Sequence, residues 1–341
     1  MFVKLLLAGV LVAGLVFAFT TNRQVSSDKN INSVDTKTVS LAPASNPMSI
    51  LSLRERSYPG SDIKIEETLS PGSNYSRYIA SYQSDGNKIF GLLTVPSTTG
   101  QENGYPVIVF LHGYIAPSVY RTTERYVAYQ DGLARNGFIT YKIDLRGHGD
   151  SEGEAVNGHF SESYVVDTLN AISSLKKYSS ADAGNIGVWG HSNGGEIGLR
   201  VMAVSKEVKA GVFWAGVVGS TKGMLETYNG KISFLNITRS TPDLIKQNGL
   251  PSENPEFWNL VDPYFFLEDI DGAIQLHHGT GDDSVPIETS VELKNAMEEA
   301  GKTIEYYEYS GADHNLGGSA FGPAMQRSVE FFKRYLNRSN L

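Results

Sequence analysis

Residues 185–200 read Asn-Ile-Gly-Val-Trp-Gly-His-Ser-Asn-Gly-Gly-Glu-Ile-Gly-Leu-Arg. The apolar run 186–189 predicts a strand, and the residues that follow the glycines are compatible with a helix. Glycine at positions 190 and 194 allows a turn that is too tight for side chains at those places. Such a turn pushes Ser192 out at the carboxyl end of the strand, where a substrate can reach it. The stretch therefore predicts a strand–turn–helix unit that carries a serine nucleophile.

A second Gly-x-Ser-x-Gly match, residues 149–153, stands in a different context. It follows the glycine-rich run 144–149, with no strand directly before it. The residues after it include Asn157 and Gly158 and show no periodic apolar face, so no helix is predicted there. We therefore interpret Ser151 as a loop residue.

The rest of the chain alternates between apolar runs and helical stretches. Strands are predicted at residues 107–111, 138–145, 186–189, 210–214, 274–277 and 303–309, and helices at 49–56, 123–135, 161–178, 194–204, 288–300 and 322–335. Residues 78–95 predict a hairpin whose turn, at 84–87, contains Asp-Gly and Gly-Asn pairs. The pattern predicts an α/β fold with a doubly wound, mostly parallel sheet and an antiparallel hairpin at its N-terminal edge.

Residues 220–271 interrupt this alternation. They contain many aromatic residues, namely Tyr228, Phe234, Phe257, Trp258, Tyr264, Phe265 and Phe266. An insertion at this place lies over the carboxyl ends of the strands, so we expect a small cap that lines a substrate pocket. For each single ring, packing of the insertion onto the core is the simpler interpretation.

Composition excludes several classes of function. The 341 residues carry a net charge of −8, which argues against a nucleic-acid partner and against attraction to anionic lipid. The chain has no cysteine, which excludes disulfides, thiolate metal sites and a cysteine nucleophile. The length accommodates one large α/β domain with insertions, or two small domains.

The N-terminal residues predict export. After Lys4, residues 5–19 contain no polar side chain, and polar residues follow them. This is typical of a signal peptide; a retained membrane anchor is the alternative, because a spanning helix needs about 20 apolar residues. We expect residues 1–20 to be the signal peptide or anchor, 21–47 a flexible linker and 48–341 the folded domain. The protein is then secreted or held at the outer face of a membrane.

A serine hydroxyl is a weak nucleophile and needs a base that a third group orients. Asp282 lies in the loop 278–286, which follows a predicted strand, and His314 follows the next strand. Both loops should open at the same sheet edge as Ser192, and the order serine, acid, histidine fits this architecture. His314 is the only histidine after the acid loop. We interpret it as the base and Asp282 as the acid.

Residues next to this constellation have other interpretations. Asp283 is the alternative acid, and Asp313 is interpreted as a turn residue that shapes the histidine loop. His277 and His278 adjoin on a strand, whose successive side chains point to opposite faces, so one metal site could hardly use both. We expect neither a metal nor an organic cofactor.

The tetrahedral intermediate of acyl transfer needs hydrogen-bond donors aimed at its oxygen. One donor should be the backbone N–H of Asn193, directly after the nucleophile. The other should come from the loop after the strand 107–111, where the N–H of Tyr114 is the candidate. These two amides are the predicted oxyanion hole.

Together these motifs resemble the α/β-hydrolase superfamily, and more closely the catalytic domain of the prolyl oligopeptidase family and its esterase-like relatives. The resemblance covers residues 76–338 and rests on the runs 190–195, 278–286 and 313–314. It implies an α/β-hydrolase fold with Ser192 as nucleophile, Asp282 as acid and His314 as base.

Two departures from the family pattern favour esterase-like chemistry. Peptidases of the family usually carry a large N-terminal β-propeller, whereas mostly polar residues precede position 76 here. Many also supply an oxyanion tyrosine just before the glycine-containing loop, where residues 110–113 read Phe-Leu-His-Gly. We therefore expect hydrolysis of small carboxylic esters through an acyl-serine intermediate. Short peptides or aminoacyl amides are the alternative substrates, and a non-catalytic binding module is the third interpretation.

Overall fold

A computed structural model describes residues 46–98, 103–156, 160–228, 231 and 240–336. The predicted signal peptide or anchor and nearly all of the predicted linker lie outside these residues and stay predictions. None of the helices in the described ranges is long and apolar enough to cross a bilayer.

The strands are β1 (Lys64–Leu69), β2 (Tyr75–Ser84), β3 (Asn87–Pro96), β4 (Tyr105–Leu111), β5 (Ile139–Ile143), β6 (Ala181–His191), β7 (Val208–Trp214), β8 (Ala273–Gly279) and β9 (Ile304–Tyr309). Within the described chain they form one sheet in the order β1-β2-β3-β5-β4-β6-β7-β8-β9. β1, β2 and β3 pair antiparallel, as do β3 and β5, and the pairs from β5 to β9 are parallel. The predicted doubly wound, mostly parallel sheet with an N-terminal antiparallel hairpin is confirmed.

Helices cover both faces of this sheet. They are α1 (Ile50–Glu55), α2 (Val127–Ala134), α3 (Glu162–Leu175), α4 (Asn193–Val204), α5 (Ser240–Asn248), α6 (Pro255–Val261), α7 (Glu288–Glu299) and α8 (Phe321–Leu336). In β4, Val107 and Val109 join one apolar cluster, and Ile108 and Phe110 join the other. α3, α4 and α7 contribute to the first cluster, and α2 and α8 to the second. Burial on both faces explains why residues 107–111 of β4 are a continuous apolar run.

The register of the parallel strands places their carboxyl ends level with one another. Leu111 at the end of β4 pairs with Gly190, and His191 at the end of β6 pairs with Trp214. Trp214 in turn pairs with His277 of β8. The loops after these strands therefore open at one edge of the sheet, where open α/β sheets bind their ligands.

The antiparallel edge differs from the sequence prediction in one strand. The predicted hairpin is present, and its turn residues Asp85 and Gly86 have φ of 51° and 80°, as a tight hairpin turn requires. β1 was not predicted, because five of its six residues are exposed and no apolar alternation marks it. A register shift between Ile65 and Glu67 further breaks the period of two.

The described part of residues 220–271 contributes to a small apolar cluster that also includes Phe160, which precedes α3. This part of the chain comprises a π-helical turn at Gly223–Thr227, α5, α6 and a 3₁₀ segment at Pro263–Asp269. Trp258 is buried against Phe160 and Leu225. The Trp258 ring therefore packs the insertion, whereas its Phe265 is exposed. A role of this insertion as a cap stays a prediction, and Phe234 lies outside the described residues.

Candidate active site

Ser192 lies in the turn between β6 and α4. Its backbone has φ 55° and ψ −119°, a strained conformation for a residue other than glycine. A Cβ at Gly190 would lie 2.4 Å from the Gly194 carbonyl oxygen, and a Cβ at Gly194 would lie 2.1 Å from the Leu111 carbonyl oxygen. Both glycines are therefore required by close backbone approach. The sharp turn that the sequence predicted is present.

Asp282 and His314 are in contact. The His314 Nδ1 lies 2.8 Å from the Asp282 Oδ2, and the Asp282 Oδ1 accepts from the amides of Ser284 and Val285 at 2.8 and 2.9 Å. Burial raises the pKa of the Asp282 carboxyl, but hydrogen bonds from His278 and His314 outweigh burial and hold this pKa well below its usual range. Asp282 is thus a charged acceptor for the Nδ1–H of His314. A neutral imidazole that donates from Nδ1 has an unprotonated Nε2, as a general base needs.

His278 is a second imidazole on the same carboxylate, and sequence reasoning gave it no part in the site. Its Nε2 lies 3.1 Å from the Asp282 Oδ2 and 3.1 Å from the Val285 carbonyl oxygen. Because both neighbours are acceptors, this nitrogen carries the proton, and Nδ1 accepts from the Ser290 hydroxyl at 2.7 Å. Its place four residues before Asp282, at the end of β8, was the signal that could have indicated this contact.

Ser192 and His314 line one pocket of about 190 Å³. The other lining residues are Gly113, Tyr114, Ile115, Arg125, Tyr126, Tyr129, His191 and Asn315. Two larger depressions, of about 400 and 340 Å³, are lined by neither Ser192 nor His314. Chemistry rather than size therefore makes the smaller pocket the candidate active site.

The predicted oxyanion donors are the backbone amides of Tyr114, which lines this pocket, and of Asn193, which directly follows the lining residue Ser192. Tyr114 lines the pocket, and Asn193 is the first residue of α4, whose N-terminus favours an anion. The amide of Gly113 already donates to the Tyr126 hydroxyl at 2.9 Å, which leaves Tyr114 as the donor of its loop. Among the described residues, we find no acceptor for the Tyr114 or the Asn193 amide. The role of these two amides as the oxyanion hole stays a prediction.

The two other candidate carboxylates have local partners instead. Asp283 is exposed and accepts from the Ser284 hydroxyl at 3.1 Å. Asp313 accepts from the Gly317 amide at 2.8 Å, which shapes the turn after β9. Of the three acidic residues, it is Asp282 that contacts the imidazole of His314.

Ser151, the serine of the second Gly-x-Ser-x-Gly match, is a buried residue of a loop whose neighbouring residues 149–150 and 152–154 are exposed. Its hydroxyl donates to the Asp144 carbonyl at 2.6 Å and accepts from the Phe90 amide at 2.9 Å. These bonds tie the loop after β5 to β3. Ser151 therefore has the structural surroundings of a loop residue.

The adjacent histidines of β8 have separate surroundings. His277 contacts the Tyr309 hydroxyl at 2.8 Å and the Gln275 side chain at 2.7 Å, on the other face of the strand from His278. In the part of the chain that the structure describes, no three histidine or acidic side chains are grouped so as to hold a metal ion.

Comparison with known families adds to this geometry. A model described as "Prolyl oligopeptidase family" matches residues 126–339, which is more than half of the chain. The chain belongs to this family. Members of the prolyl oligopeptidase family are serine hydrolases, and the matched range includes Ser192, Asp282 and His314. The protein is accordingly a serine hydrolase.

Individual relatives include both peptidases and esterases. The uncharacterized peptidase YtmA of Bacillus subtilis is 26% identical over 246 residues, which cover 72% of this chain and 88% of YtmA. Among solved structures, an acetyl xylan esterase from Paenibacillus sp. R4 has a TM-score of 0.64 at 18% identity, with 84% of this chain and 92% of that chain covered. An acylaminoacyl peptidase of Pyrococcus horikoshii has a TM-score of 0.61 at 21% identity, over 79% of this chain and 43% of that chain. The structural likenesses show the α/β-hydrolase fold.

The chain is shorter than many relatives. It spans about a third or less of the length of several other curated peptidases that it matches.

Proposed function

We propose that the protein hydrolyses small carboxylic esters through an acyl-serine intermediate. The observation that carries this proposal is the 2.8 Å contact between Asp282 and His314 at a pocket that Ser192 also lines. A charged acid, an oriented base and a serine on a strained turn are the parts that nucleophilic acyl transfer needs.

The proposed reaction proceeds in two halves. The Ser192 Oγ attacks the acyl carbon while the His314 Nε2 takes its proton, and the amides of Tyr114 and Asn193 bind the tetrahedral oxyanion. Collapse of this intermediate breaks the bond to the alcohol, which receives the proton from His314. Water then repeats the sequence on the acyl-serine, and the carboxylic acid and free Ser192 are released. Asp282 stabilises the imidazolium that forms in each half.

Two observations favour esters of modest size. The pocket of about 190 Å³ lies below the ~300 Å³ at which pockets for drug-sized ligands begin, so it suits a short acyl group. The oxyanion donors are backbone amides, since the residues just before Gly113 include no tyrosine. The second of these is an esterase-like departure from the family's peptidases.

Family membership and the similarity to YtmA favour a second candidate, cleavage of short peptides or aminoacyl amides. A paired assay of short-chain p-nitrophenyl esters and aminoacyl p-nitroanilides separates the two, because both leaving groups are read at the same wavelength. We expect kcat/KM to be at least tenfold higher for the esters. Faster turnover of the anilides would overturn the ester proposal and support the peptidase.

Labelling with a fluorophosphonate tests whether the site is catalytic at all. The reagent reacts only with an activated serine, so the wild-type protein should label stoichiometrically at Ser192. A properly folded protein that does not label would support the non-catalytic binding module.

We also propose that the chain is exported, on the apolar run at residues 5–19. Fractionation of expressing cells with mass spectrometry of the N-terminus should find the protein outside the cytoplasm, either cleaved or membrane-held. Recovery only from the cytoplasm, with Met1 to Arg23 intact, would contradict export.

A further inference from the structure

A chain of hydrogen bonds joins three loops behind the candidate active site. The Gly113 amide donates to the Tyr126 hydroxyl at 2.9 Å, and this hydroxyl lies 2.8 Å from the His191 Nδ1. The Nε2 of His191 lies 2.9 Å from the carbonyl oxygen of His314. The side chains of Tyr126 and His191 thus connect three segments: the loop that contains Tyr114, the end of β6 before Ser192, and the loop that contains His314.

The direction of every bond in this chain is determined. The Tyr126 oxygen accepts from Gly113, so its single O–H is left to donate, and His191 Nδ1 is the acceptor. A carbonyl can only accept, so His191 Nε2 carries the ring proton and donates to the backbone of His314. Burial lowers the pKa of His191 to about 3, which keeps the imidazole in this one neutral tautomer.

Two features show that the fold holds Tyr126 in place at the expense of backbone strain and of a helix cap. Arg125 and Tyr126 both have positive φ, 56° and 53°, directly before α2 begins. Tyr126 occupies the N-cap position of α2 without making a side-chain cap bond, so its hydroxyl serves the chain of hydrogen bonds instead. Strained backbone of this kind at non-glycine residues clusters at functional sites.

Gly113 is packed tightly among the same groups. A Cβ at this position would lie 2.7 Å from the Tyr126 hydroxyl, 3.0 Å from the His191 Nδ1 and 3.1 Å from the Ser192 Cβ. A side chain at position 113 would therefore disturb this chain of hydrogen bonds, and the amide that Tyr126 holds directly precedes that of Tyr114.

We propose that Tyr126 and His191 are positioning residues that hold the oxyanion-binding amide of Tyr114 and the base His314 in register with Ser192. The inference rests on the proposed acyl-transfer function and goes beyond it, since neither side chain belongs to the triad or to the oxyanion hole. A misplacement of about 1 Å costs on the order of 10²-fold in rate, which sets the size of the expected effect.

The test uses Tyr126→Phe, His191→Leu and the double variant in the full-length protein. Each single change should lower kcat for a p-nitrophenyl ester by about 10- to 100-fold and change KM by less than about threefold. The double variant should be no slower than the slower single variant, because both act through one chain of bonds. Affinity for a boronic acid, which mimics the tetrahedral intermediate, should fall in parallel with kcat.

Two further variants separate positioning from general destabilisation. Tyr141→Phe removes a buried hydroxyl that donates to the Ala80 carbonyl at 3.0 Å. It should lower the melting temperature about as much as Tyr126→Phe does, but leave kcat unchanged. His191→Gln, whose amide N–H can still reach the His314 carbonyl, should recover part of the rate lost in His191→Leu. The acid limb of the pH–rate profile should stay in place in all variants, because His191 is already neutral there.

Each outcome bears on a different claim. If wild-type protein labels with fluorophosphonate but both single variants keep wild-type kcat, the positioning role is wrong and the proposed function stands. If the rate losses of the two single variants add up in the double variant, the two residues do not act through one chain of bonds. If Tyr141→Phe, at a similar loss of melting temperature, loses as much rate as the single variants do, their rate loss comes from destabilisation and the positioning role is wrong. If wild-type protein neither labels nor turns over ester or anilide, the proposed function itself fails.

Discussion

Replacing Ser192 with alanine is expected to lower kcat for ester hydrolysis by on the order of 10⁶-fold, to the rate left by binding and the oxyanion hole. The hydroxyl is the atom that forms the acyl intermediate, and no other described serine lines the pocket with His314. The positive φ of residue 192 is set by the turn, so alanine inherits the same strain and the fold should be retained. The measurement is kcat with a short-chain p-nitrophenyl ester, together with loss of fluorophosphonate labelling.

Ser151→Ala is the matched control for this variant. Both residues are central serines of a Gly-x-Ser-x-Gly pattern and both are buried. Loss of the Ser151 hydroxyl leaves the Phe90 amide and the Asp144 carbonyl without their partner, which should lower the free energy of unfolding by about 1–3 kcal/mol and leave kcat unchanged. An inactive Ser151→Ala protein beside a fully active Ser192→Ala protein would reverse the assignment of the nucleophile.

The sheet was predictable where burial on both faces leaves an unbroken apolar run in the sequence. β4 is of this kind, and its every residue is buried. β1 was not predictable, because an exposed edge strand has no apolar pattern and depends on hydrogen bonds to its neighbour. The start of α2 was predicted too early, since the sequence does not reveal that Arg125 and Tyr126 adopt positive φ before it.

Some residues of the candidate site could likewise be predicted from the sequence, and others could not. Ser192, Asp282 and His314 could be chosen because chain order and strand ends bring their loops to one edge of the sheet. The place of His278, four residues before Asp282, also gave a signal. Tyr126 could not be chosen, because its partners depend on side-chain directions that no local pattern encodes. Tyr126 in particular reaches Gly113 and His191 across elements that are 13 and 65 residues away in sequence.

Asp282→Asn is expected to lower kcat by about 10⁴-fold, although the side chain keeps its size. All four neighbours of the carboxylate are donors, namely the imidazoles of His278 and His314 and the amides of Ser284 and Val285. In either orientation, the NH₂ group of asparagine faces two donors. His314 loses its charged partner in both orientations, and where the NH₂ group faces it, His314 also loses the tautomer that keeps Nε2 free to accept a proton. Asp283→Asn, one residue on and exposed, is the control and should keep wild-type kcat.

The charge of Asp282 should also make the melting temperature of the wild-type protein depend on pH in a way that Asp282→Asn does not. The pKa of Asp282 is held below its unfolded value of about 4, so its charge stabilises the fold above that pH, and this contribution is lost as pH falls through the folded pKa. The difference in melting temperature between wild type and Asp282→Asn should therefore be largest near neutral pH and shrink as the solution is acidified below about pH 4. A difference that grows on acidification would mean that Asp282 is protonated in the folded protein. It could not then hold His314 as an imidazolium, and a different carboxylate would have to be sought.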